Sequence, residues 1–158
     1  MSDARWLDVD ADIAAAVRHF RNAGALRAAG GFDGPDLARY RSEMALMHAL
    51  QSAHTSAEAA LMRILRLLSE EAPSSEDWHS RLIDRLARAV EGSHARPALL
   101  SPEIAADLHE TRAFRHRVTH SYGDFNLVRA APALEAGARL AISLPEAVAR
   151  FRATIDPA

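Results

Sequence analysis

Arg115, His120 and Tyr122 stand at the spacing R-x-x-x-x-H-x-Y inside the stretch RHRVTHSY, residues 115–122. The triplet combines a permanent cation, a side chain that titrates near neutrality and a phenol. Chemistry suited to that set is cleavage of RNA through its own 2′-hydroxyl: a neutral imidazole takes the hydroxyl proton, and an arginine holds the phosphate as charge builds on it. Such a reaction needs neither metal nor cofactor. Its products carry a 2′,3′-cyclic phosphate or the hydrolysed form, and DNA, which lacks the 2′-hydroxyl, is inert.

An Arg followed five positions later by a His is expected about once by chance in this composition. Requiring one of only two tyrosines two places further on lowers that expectation to roughly 0.01. Each residue also has an ordinary structural reading. Arg115 could pair with a buried acid such as Glu58 or Glu43, His120 could cap a helix C-terminus, and Tyr122 could anchor the helix end in the core. His116 and His120 lie four apart on one helical face, as in some zinc sites, and no third ligand is evident from spacing, although His109 and Asp124 are nearby. No metal is assigned. His79, beside Trp78, reads as a packing or surface residue.

The triplet must be positioned by a helix. Ser101 and Pro102 make a helix start, and Ile104, Leu108, Thr111, Arg115, Val118 and Tyr122 then follow one seam in steps of four and three. On an ideal helix Arg115 and Tyr122 are about 20° apart and His120 is about 140° from Arg115. Either the helix unwinds before Gly123, or two copies pair so that the Arg of one faces the His of the other. The second is expected here.

Before that helix, residues 3–29 carry Trp6, Val9, Ile13, Val17 and Phe20 at helical spacing, and Gly30, Gly31, Gly34 and Pro35 break the chain. From Pro35 to about Ala72 no breaker occurs. An unbroken helix there would run about 55 Å, long enough to pack against a second subunit as well as its own. Pro73, Ser74 and Ser75 supply a break and capping hydroxyls, and Trp78, Leu82, Ile83 and Leu86 form a third, shorter helix ending near Gly92. The last segment, 127–155, is mostly helical, with Pro132 and Pro145 expected to break or kink it. No alternating strand pattern or internal repeat appears. The expectation is an all-α, antiparallel bundle of about five helices with a long central helix, forming one domain over residues 1–158.

With 158 residues, 49% apolar, the chain can bury a core. The absence of cysteine excludes disulfides, thiol nucleophiles and cysteine-ligated metals. A net charge of −2 does not suit a protein that coats nucleic acid through a general basic field, so any RNA contact must be local. The acidic start MSDARWLDVD is unlike a signal peptide, and no apolar run approaches a membrane span. A cytoplasmic location without membrane contact is expected.

These residues resemble the HEPN superfamily, specifically the HepT-like ribonuclease toxins, whose R-x-x-x-x-H-x-Y pattern is matched at Arg115, His120 and Tyr122. His116 corresponds to the polar residue often seen after the Arg. TSAEAALMRIL at 55–65 is similar to the family's long-helix segment, EDWHSRLI at 76–83 to its third-helix opening, and Arg112 to His116 to its lead-in. The similarity spans roughly residues 40–151. The resemblance implies a HEPN-like fold and a homodimeric, metal-independent endoribonuclease acting as the toxin of a toxin-antitoxin pair. Its partner would be a small MntA-like nucleotidyltransferase antitoxin that adds AMP to Tyr122. Ahead of Glu58 the chain departs from the family, with His54 where an aromatic is often seen and Ser56 at a glycine-type position, which leaves the part of Glu58 as a supporting acid open. A second hypothesis is a non-catalytic helical partner of a nucleotidyltransferase that uses the same cleft as an anion site.

Overall fold

The structure is a computed structural model that describes residues 3–120 and 125–157. After a 3₁₀ turn at Ala4–Trp6 come α1 (Leu7–Ala29), α2 (Asp36–Leu67), α3 (Trp78–Leu86), α4 (Pro102–His120) and α5 (Leu127–Ile155). The described residues thus form an all-α bundle with a long central helix, as expected, and contain no strand beyond an isolated bridge between Val90 and Arg96.

Local chemistry sets the helix ends. Gly30, at φ +75°, follows the last residue of α1. The Ser101 hydroxyl accepts from the Ile104 amide at 3.2 Å, which leaves Pro102 at the first helical position, where its missing N–H costs nothing. The Asn126 side chain caps α5 by accepting from the Arg129 amide at 3.2 Å. Helix α2 stops at Leu67, short of the expected Ala72, through a signal that the sequence conceals. Ser69 takes φ +55°, its amide donates to the Arg66 carbonyl, and the Glu70 amide donates to that of Leu65. This is the paired C-terminal motif that a glycine usually serves. With 32 residues, α2 is about 48 Å long.

Two further expectations are corrected. Helix α3 ends at Leu86 rather than near Gly92, because the chain beyond it is gathered by Arg96. That buried guanidinium donates to Glu70 and to the carbonyls of Arg85, Arg88 and Pro97. Helix α5 is continuous through Pro132 and Pro145. Each proline costs about 3 kcal/mol in a helix interior. Leu134, Leu140, Leu144, Val148 and Phe151, all buried, contribute about 1.5–3 kcal/mol apiece and outweigh it.

Contacts between helices fix their directions. Arg63 near the end of α2 reaches Asp8 and Asp12 near the start of α1, and Arg152 near the end of α5 reaches Asp10; α1 is therefore antiparallel to both neighbours. Helices α2 and α4 instead run parallel: His54 meets Thr111 and Glu58 meets Arg115 at the same sequence separation of 57. That parallel pair is the scaffold of the site.

Candidate functional site

On the α4-facing side of α2 lie Gln51, His54, Thr55 and Glu58, and α4 answers with Thr111, Arg112 and Arg115. Helix α3 adds His79 from its first turn. Glu58 is buried and divides its two oxygens. Oε1 accepts from Arg115 Nη1 at 3.0 Å, and Oε2 lies 2.6 Å from His79 Nδ1. Arg115 also donates to the Thr55 hydroxyl at 3.3 Å. The ion pair with Glu58 named as an alternative for Arg115 is therefore present, while Glu43 lies instead near Arg39 at 3.9 Å.

Burial pushes the Glu58 carboxyl up, but the hydrogen bond from His79 and the Arg115 charge outweigh burial and hold it down at about 2. Glu58 is thus an anion at neutral pH. For His54 the balance reverses: burial lowers it, against the upward pull of Glu58. The hydrogen bonds agree with a neutral ring. The Thr111 hydroxyl donates to the Leu108 carbonyl at 3.1 Å, so its oxygen accepts the proton of His54 Nδ1 at 2.8 Å. His54 Nε2 then lies 3.5 Å from Glu58 Oε2 and makes no hydrogen bond.

A cavity of about 430 Å³ opens beside this cluster, lined among others by Thr55, His79, Arg112, Arg115, His116 and His120. Of the two ways expected to bring Arg115 and His120 together, unwinding of the helix is not seen up to His120. Both side chains line one cavity within a single chain. His120 Nδ1 lies 3.0 Å from the His116 carbonyl; a carbonyl only accepts, so Nδ1 carries the proton and, in the neutral ring, Nε2 keeps its lone pair. The bond also ties His120 to the helix C-terminus, the structural reading it was given. His116 sits against His120 with ring centroids 4.3 Å apart. Tyr122 and Asp124 lie outside the described residues, and His109 is engaged with Asp84 at 2.8 Å.

Two side chains were missed by the sequence reading. His79, taken for packing or surface, does stack on Trp78 with centroids 3.6 Å apart, but it also lines the cavity and contacts Glu58. Arg112 brings a second guanidinium to the cavity, and its Nε is buried with no partner among the described residues. The only sequence signal was position: Arg112 and His116 are four apart on the helix that carries Arg115.

A larger cavity of about 950 Å³ lies between α1 and α5, lined by residues such as Val17, Arg18, Pro145 and Val148. Neither Arg115 nor His120 is among its lining residues. No helix among the described residues is long and apolar enough to cross a membrane.

Known proteins give one comparison. No curated protein and no solved structure matches the chain. The profile of the family described as HepT-like protein matches residues 45–155, a span that runs from α2 through α5 and contains every lining residue of the 430 Å³ cavity beside Glu58. A match over more than half of the length, carrying the pattern at Arg115 and His120, shows the relationship: the chain belongs to the HepT-like family.

Proposed function

We propose that this protein is a metal-independent endoribonuclease toxin that cleaves RNA through the 2′-hydroxyl. The observation that carries this reading is the shared cavity of Arg115 and His120, with the His120 ring held by the bond from its Nδ1 to the His116 carbonyl, which leaves Nε2 as the basic nitrogen. In the first step Nε2 takes the 2′-hydroxyl proton, and the 2′-oxygen attacks phosphorus. Arg115, assisted by Arg112, neutralises the phosphoryl oxygens as charge grows there. The bond from phosphorus to the 5′-oxygen breaks, leaving a 2′,3′-cyclic phosphate. Glu58 supports the reaction by holding Arg115 at the cavity edge. His116 backs His120 through its ring and its carbonyl.

The biological setting that fits is a toxin-antitoxin pair in the cytoplasm, with an MntA-like nucleotidyltransferase placing AMP on Tyr122. An adenylate there would bring an anion to the arginines and block the cavity. We also propose a homodimer, with residues 1–158 acting as one domain in each copy. Leu37, Tyr40 and Met44, spaced three and four apart on α2, expose 63%, 58% and 37% of their surface, and this apolar stripe runs towards Gln51 and Thr55 at the cavity.

Purified protein is expected to cut RNA and not the matching DNA, with cyclic-phosphate ends visible by mass spectrometry. His120→Ala should lower the rate by about 10²- to 10⁴-fold while the melting temperature stays within a few degrees. Undiminished cleavage by that variant would remove the basis of the proposal. A second reading, a non-catalytic partner with an anion site, takes support from the ion pair that already occupies Arg115 in the resting chain. It predicts nucleotide binding with RNA left intact.

A further inference from the structure

The contacts of His79 are incompatible with one another in the resting arrangement. Its Nδ1 lies 2.6 Å from Glu58 Oε2, an acceptor, and 2.8 Å from Arg115 Nη2, a donor. A ring nitrogen either carries a proton or presents a lone pair, so it cannot serve both. Because Glu58 is ionised, the proton on Nδ1 goes to the carboxylate. Arg115 Nη2 is then closest to a second donor, and the acceptor nitrogen of the ring, Nε2, lies further off at 3.5 Å. One event relieves that contact: a phosphate in the cavity draws Nη2 away from the ring. What remains is an imidazole whose Nδ1–H is bonded to a buried carboxylate, with Nε2 as the ring atom left to meet a substrate. A carboxylate behind an imidazole orients the ring and stabilises its protonated form.

We propose that His79 is a second acid–base group of this cavity, donating a proton from Nε2 to the departing 5′-oxygen of the RNA while Glu58 holds the ring in place. The inference rests on the nuclease reading above and adds a residue to it. The proton balance closes. His120 Nε2 gains the 2′-hydroxyl proton as the bond between the 2′-oxygen and phosphorus forms. The bond from phosphorus to the 5′-oxygen breaks, and its electron pair is protonated by His79. The products are a cyclic phosphate and a 5′-hydroxyl, and both rings reset by exchanging one proton with water. Phosphate binding and the acid function are thereby coupled, since the anion that neutralises Arg115 also makes room for a charged ring beside it.

The test uses a leaving group that needs no proton. An oligoribonucleotide whose wild-type cut has been mapped is prepared with oxygen or with sulfur at the scissile 5′ position. His79→Ala is expected to cut the oxygen substrate about 10²- to 10⁴-fold more slowly than wild type and the sulfur substrate within about tenfold of it. His120→Ala should be slow on both. His79→Gln, which keeps a polar side chain of similar reach, should behave like His79→Ala and carries the test if the alanine variant does not fold. Equal loss on both substrates would reduce His79 to a structural part and overturn the proposal, as would a His79 variant as active as wild type. A wild-type protein that cuts no RNA, so that no site can be mapped, would instead overturn the nuclease reading on which the proposal rests.

Discussion

Each oxygen of Glu58 answers to a different helix, and this makes the residue a measurable acid switch. Its folded carboxyl sits at about 2 against an ordinary 4.5, so folding favours the ionised form. The associated stability is present in full above about pH 4.5 and is lost as the pH falls towards 2, by an amount on the order of 3 kcal/mol. Urea melts at pH 6 and pH 3 should show that loss in the wild type and a shallower one in Glu58→Gln. Behind it, Thr111→Val is expected to cost about 1–3 kcal/mol, because it strands the buried Nδ1–H of His54. Adding His54→Phe removes the stranded donor and should return most of that stability, read as a double-mutant cycle in chemical denaturation. Sequence reasoning reached Arg115 and His120 because their spacing is a local property, and it reached Glu58 only as one of two candidate acids and through the family resemblance. It did not reach His79, which lies 21 residues from Glu58 on a separate helix and is brought in only by tertiary packing.

At the scale of helices, hydrophobic period sufficed for the number and order of elements, and it failed at ends and at prolines. Ser69 adopts a conformation normally left to glycine, so the stop of α2 carries no composition signal. The continuity of α5 is decided by what its buried face meets, which a rule about proline cannot contain. Its crossing with α1 shows how close that meeting is. A Cβ added at Gly137 would stand 2.6 Å from Phe20 Cδ1, inside contact distance of a buried ring. Gly137→Ala should therefore destabilise the fold by about 1–3 kcal/mol, despite the better helix propensity of alanine, and thermal melts of Gly137→Ala with and without Phe20→Leu should show relief in the second.

For the molecule as a whole, the exposed stripe on α2 sets the assembly expected. Tyr40→Glu puts a charge at the centre of Leu37, Tyr40 and Met44 and should weaken a homodimer by about tenfold or more, measured by sedimentation across a concentration series. The long helix made a second copy thinkable from sequence, and the angle between Arg115 and His120 on one helix pointed the same way, although both side chains line one cavity in a single chain. The family match starts at residue 45, in the middle of α2, yet Trp6, Val9 and Phe20 of the preceding chain are part of the same core as Leu61, Leu140 and Phe151. An excised fragment beginning where the likeness begins would lay bare one wall of that interior. What descent has kept recognisable is thus smaller than what must collapse together, and a chain trimmed to its signature would clump rather than fold.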